Sequence, residues 1–138
     1  MRKYYLLLFI AILWMFVIFK ITASPSATGS NTLTILQNWF GVHGFVADSL
    51  NFVIRKLAHV TVFGLLAIFL YFVFTKNRYL WAWICTTVYA ATDEFHQSLV
   101  VGRTASIYDV MLDSFGAAVA LLMLGLLKRR VFKQKVNQ

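Results

Sequence analysis

Four stretches of the chain carry almost no polar side chain, and each is bounded by lysine, arginine or a cluster of turn formers. Tyr4 to Phe19 is uncharged and follows Arg2 and Lys3, and Leu57 to Thr75 is apolar apart from His59. Tyr79 to about Leu99 opens with "YLWAWICTTVYAAT", and Ile107 to Leu127 ends against "KRR". Measured against the roughly 20 residues that a helix needs to cross a bilayer, all four predict spanning helices, at about 4–22, 55–75, 79–98 and 106–127. The first also has features of a secretory signal peptide: a basic start, an apolar middle and the small residues of "TASPSA". Lys20 and Pro25 fit a cleavage site poorly, so a retained helix is expected. Between helices one and two, Thr22 to about Val53 opens with the loop "ASPSATGSN". It continues as an apolar and aromatic segment with few charges, which reads as short helices in the membrane interface.

The polar residues that do enter the apolar stretches are not scattered. At about 100° per residue, Asp93, Glu94, His96 and Gln97 share one arc of helix three, while Phe95 points the other way. Arg55 and His59 are spaced i,i+4, as are Asp109 and Asp113, so each pair shares a face. Below the two aspartates the stripe continues through Gly116, Ala117 and Ala120, small residues that let another helix approach closely. Asp113 reads here as a packing residue at the head of that stripe. A charge at such a depth is unfavourable by about 3 kcal/mol on insertion scales, so these side chains are expected to be paired or functional.

A hydrophobic content of 60% with 13% charged residues is too apolar for a soluble one-core domain and predicts a single integral membrane domain over residues 1–138. The fold class expected is all-α integral membrane, with four transmembrane helices and an interfacial helical segment between the first two. The lone cysteine, Cys85, rules out a disulfide within the chain. The net charge of +8 comes from basic residues that flank apolar runs and do not line one face with aromatics, so no nucleic acid is expected as a partner. Nine of the 13 lysines and arginines fall at the amino terminus, the Lys76/Arg78 loop and the tail, and four on the other side. The positive-inside rule then puts both termini in the cytoplasm of a multi-pass plasma-membrane protein. The tail "KRRVFKQKVNQ" reads as an anchor on anionic lipid. The polar residues near the start of helix two, the end of helix three, the start of helix four and the connecting loop would meet on the outer side.

"RKLAH" (Arg55 to His59), "DEFHQ" (Asp93 to Gln97), "GRTASIYD" (Gly102 to Asp109) and "DSFG" (Asp113 to Gly116), in this order and spacing, resemble the VanZ-like family, named for a teicoplanin-resistance protein. The chain departs from that pattern at Val101, where many relatives carry proline, and at Val62, where some carry a glutamate. The resemblance implies a bacterial multi-helix membrane protein of the cell envelope, connected through its namesake to antibiotic resistance. It supplies no established reaction.

The chemistry therefore rests on the residues. Glu94, Asp93 and His59 are the candidate catalytic groups, since a partly desolvated acid near a histidine suits general acid or base work. Arg55, Lys56, Gln97, Arg103 and Asp109 are the candidate residues for binding an anion, with arginine suited to bidentate contact with phosphate. Membrane lipids or lipid-linked envelope precursors are the expected partners, and a homo-oligomer is left open. No cofactor is expected. Asp93, Glu94, His96, Asp109 and Asp113 offer metal donors but lack a recognisable ligand spacing, so no metal is assigned. The expected function is to bind a lipid-linked or envelope anion in an outward-facing polar pocket, with its chemical modification left open, altering susceptibility to glycopeptides. The alternative is a non-enzymatic factor that shields or organises envelope components, its charged cluster serving as structural ion pairs.

Overall fold

The computed structural model describes residues 2–24, 29–100 and 105–136 of the chain. Five α-helices account for nearly all of them: α1 (Arg2–Ala23), α2 (Gly29–Phe40), α3 (Gly44–Val73), α4 (Arg78–Ser98) and α5 (Ile107–Val136). There is no strand among the described residues. Three helices, α1, α3 and α5, are long and apolar enough to cross a membrane. By the same length and composition α4 does not qualify, because Thr86, Thr87, Thr92, Asp93, Glu94, His96 and Gln97 dilute its apolar content.

Helix α3 is the central element and packs against all four others. It runs for 30 residues where the hydrophobic pattern predicts 55–75, starting 11 residues early. Part of the segment expected to be interfacial, from Gly44 to Val53, is thus the first third of α3. Only the 12-residue α2 stands as a separate short helix. Nothing in "GFVADSLNFVI" breaks a helix, and the chain reverses just before it. Gly41 and Gly44 take φ of +63° and +64°, a left-handed conformation in which a Cβ would be strained. Asn51 then donates its amide to the Gly29 carbonyl at 2.9 Å, tying the head of α3 to the start of α2.

The core is a thin apolar seam around Phe63, Leu66, Ala67 and Leu70 of α3, joined by Ala11 and Ile18 of α1, Ala82 and Ala90 of α4, and Ala117 and Leu121 of α5. Most large apolar side chains face outward, as expected where lipid is the solvent. Small residues set the crossing of α3 and α5. A Cβ on Gly116 would lie 2.8 Å from Val60 Cγ1 and 3.1 Å from the Val60 Cα, and one on Gly64 would lie 3.2 Å from the Ala120 methyl. Helix α1 is held by side chains that cap backbone carbonyls: Trp14 donates to Val62 O at 2.9 Å, and Tyr89 to Met15 O at 2.6 Å. Helix α5 continues past Leu127, so the basic tail from Lys128 to Lys135 is helical, with its cations in the last turns where they complement the helix dipole.

Candidate functional site

The buried face of α4 follows from its spacing: Ala82, Thr86, Ala90, Asp93, Glu94 and Gln97 are all inward, and Phe95 is 69% exposed. Asp93, Glu94 and Gln97 are 4–5% exposed. Such side chains need partners, and the partners come from other elements. Asp93 accepts from the Thr22 hydroxyl of α1 at 2.6 Å and from Gln97 Nε2, one turn away, at 2.7 Å. Glu94 accepts from the Ser106 backbone N–H at 2.7 Å, which anchors the residues leading into α5 on the end of α4. His96 lies at the edge of the arc, its ring 4.3 Å from that of Phe19.

Across the α3–α5 crossing, Lys56 and His59, spaced i,i+3 on α3, meet the i,i+4 pair Asp109 and Asp113 of α5. Lys56 is paired with Asp109 at the half-buried rim. One turn deeper, His59 Nδ1 lies 3.3 Å from Asp113 Oδ2. Asp113 is 2% exposed, and its other oxygen, Oδ1, has no hydrogen-bond partner among the described residues. Its neighbour on the same stripe, Gly116, brings the two helix backbones together, so the sequence expectation of a packing stripe holds while its first member also carries a charge partner.

Beside this cluster is a cleft of about 190 Å³ between α1, α2 and α3, lined by Ile21, Thr22, Thr32, Ile54, Arg55, Ala58, His59 and Val62. Its polar lining is Arg55, His59 and two threonines; the rest is apolar. Among the described residues Arg55 makes no ion pair with a carboxylate. It packs where Gly29 leaves room, since a Cβ there would sit 2.6 Å from the guanidinium.

The structure thus brings Arg55 and His59 together on the cleft, with Asp93 reaching it through Thr22. Glu94, Gln97, Lys56 and Asp109 are near but engaged within the bundle. Arg103 lies outside the described residues, as does the loop glycine before it. Sequence reasoning did not single out Thr22 or Thr32, and nothing in the pattern marked them, because both fall in or beside a polar stretch that reads as a loop. Asp113 was visible, but its partner was not. Among the described residues no three His, Cys, Asp or Glu side chains are arranged to hold a metal ion.

Chemically, His59 presents a ring to the cleft while its Nδ1 faces a buried carboxylate. That is the geometry in which an acid fixes the tautomer of a general base and stabilises its protonated form. A guanidinium one turn away supplies a fixed positive charge for an anion.

A family model described as VanZ/LLP1 matches residues 4–128. No curated protein and no solved structure matches the chain.

Proposed function

The chain belongs to the VanZ/LLP1 family, and from that premise we propose that it binds the phosphate or pyrophosphate of a lipid or lipid-linked envelope precursor in the α1–α2–α3 cleft. In this reading Arg55 holds the anion and His59, positioned by Asp113, takes or gives a proton during its modification. Membership supports a membrane protein linked in general to glycopeptide resistance; the ligand and the reaction are the proposal. The observation that carries it is Arg55, a cation without a carboxylate partner among the described residues, lining the same largely apolar cleft as a histidine backed by a buried aspartate.

Depth supports a lipid as the ligand. Asp93 is 14 residues along α4 from Tyr79, and Asp113 is 16 residues along α5 from Arg129. At about 1.5 Å per residue both separations exceed 20 Å, against a hydrocarbon core of about 30 Å. With the basic end of the bundle at one interface, the cleft lies inside the far leaflet, where a lipid headgroup drawn slightly inward meets it and a water-soluble substrate does not. α4 is then a fourth span whose polar groups are sequestered by α1, α3 and α5, and α2 lies at the far interface.

The second reading is a binder without chemistry. It is favoured by the fact that Asp93, Glu94 and Asp109 each already have a partner inside the bundle. Lipid profiles of membranes with and without the protein separate the two: a changed lipid species supports modification, whereas altered glycopeptide susceptibility over an unchanged profile supports binding alone. In either case Arg55→Gln is expected to weaken ligand binding by about tenfold or more, the loss of one charge-assisted contact, with little change in abundance. Full phenotype in a stable Arg55→Gln protein would remove the cleft from the proposal.

The basic residues favour both termini in the cytoplasm and the cleft on the outer side. In a Cys85→Ala background, Gly102→Cys is expected to react with an impermeant thiol reagent added to intact cells and Asn77→Cys is not. The opposite labelling pattern would invert the topology.

A further inference from the structure

We propose that the end of the bundle remote from the carboxylates carries a second, separate site: one anionic phospholipid, its phosphate on Arg129 and an acyl chain in the slot between α4 and α5. The ring of Tyr71 on α3 and that of Tyr79 at the start of α4 are 4.7 Å apart. Lys128 on α5 donates to the Tyr71 hydroxyl at 3.0 Å and lies 4.2 Å from the centre of the same ring. Arg78 approaches that ring at 5.9 Å. Next to this cluster is a cavity of about 250 Å³ lined by Tyr79, Leu121, Leu122, Gly125, Leu126 and Arg129. Gly125 keeps it open, since a Cβ there would already come within 3.3 Å of the Tyr79 hydroxyl.

The charge balance of the chain calls for an outside anion. Its acidic residues are Asp48, Asp93, Glu94, Asp109 and Asp113, and none lies at this end. Along α4 and α5 the nearest are more than 20 Å away at about 1.5 Å per residue, well beyond the Debye length of about 8 Å that applies at the water-exposed end of the bundle. Three cations gathered around two tyrosine rings therefore repel one another with no Asp or Glu side chain among the described residues at this end to offset them. Arginine matches a phosphate through paired N–H donors, and the leucines below Arg129 offer an acyl chain continuous contact. Diffuse attraction of basic tails to anionic leaflets needs no such slot. The combination of headgroup charge and an apolar channel at the same place points to a single lipid held by both ends.

The test is a titration of the full chain in detergent, read by native mass spectrometry, with phosphatidylglycerol, with phosphatidylcholine of the same acyl chains, and with inorganic phosphate. One phosphatidylglycerol per chain is expected to bind, phosphatidylcholine at least tenfold more weakly, and inorganic phosphate neither to bind nor to compete. Arg129→Gln, an exposed position, is expected to weaken phosphatidylglycerol about tenfold, and Gly125→Leu to weaken it by filling the slot. Lys76→Gln, a cation at the same end but off the slot, leaves binding unchanged. Equal binding of phosphatidylcholine, an equal loss in Lys76→Gln, or competition by inorganic phosphate at lipid-like concentration would each overturn the site.

Discussion

Asp113→Asn is expected to cost the protein its proposed function without costing it its fold. The side chain is 2% exposed, one oxygen faces His59 Nδ1 at 3.3 Å and the other has no partner among the described residues, so the substitution keeps volume and hydrogen-bonding capacity while removing the charge. If His59 works as a base or acid, loss of the carboxylate leaves its tautomer unfixed and its protonated form unsupported. The effect on turnover is then about 10²- to 10⁴-fold, the usual scale for removing such a contribution. His59→Gln is expected to match it, and the double variant to be no worse than either single one, because the two act as a unit. If the pair only braces α3 against α5, removing one buried partner lowers stability by about 3–5 kcal/mol and abundance falls with the phenotype. Membrane abundance, thermal midpoint in detergent and the proposed effect on glycopeptide susceptibility measured together decide it. A stable Asp113→Asn protein with full phenotype would refute a role for the pair in chemistry.

Gly116→Leu is expected to have the largest structural effect of any single change. A Cβ at this position would already meet Val60 Cγ1 at 2.8 Å and the Val60 backbone Cα and O at 3.1 Å, and three more carbons cannot be placed without parting α3 from α5. Overpacking of this kind costs about 3 kcal/mol or more where backbone is in the way. Because His59 adjoins Val60 and Asp113 lies one turn before Gly116, the same separation would pull the His59–Asp113 pair apart. Loss of folded protein and of phenotype are therefore expected together, in contrast to Asp113→Asn. Val60→Ala removes only the side-chain part of the clash, so it should restore little. Ala118→Leu, on the exposed side of α5, should leave the thermal midpoint unchanged. A Gly116→Leu protein with a normal midpoint would mean that the α3–α5 crossing is not as close as described.

The two substitutions separate what the residue pattern alone carried from what it left open. Helical phase is local, so the sequence determined that Asp93, Glu94 and Gln97 face inward while Phe95 faces out, and that Asp109, Asp113 and Gly116 share a stripe. It also determined the apolar character of α1, α3 and α5, because the length needed to cross a bilayer is a property of one segment at a time. The motifs from Arg55 to Gly116 carried the family. Where the pattern fell short, the deciding contacts joined distant parts of the chain. Helix α3 begins at Gly44 and not near Arg55, because α2 folds back on its first turns, and an apolar, aromatic segment reads alike as an interfacial element or as more helix. Thr22 belongs to the site through a carboxylate 71 residues away, and no periodicity links them. Of the pairings open to four carboxylates, the tertiary structure chose Lys56 for Asp109, His59 for Asp113, Thr22 for Asp93 and a backbone amide for Glu94. Spacing assigns a side chain to a face of its helix, but its partner depends on how neighbouring helices cross and how far one slides along another. Small residues such as Gly64 and Gly116 set that crossing only once the helices are packed.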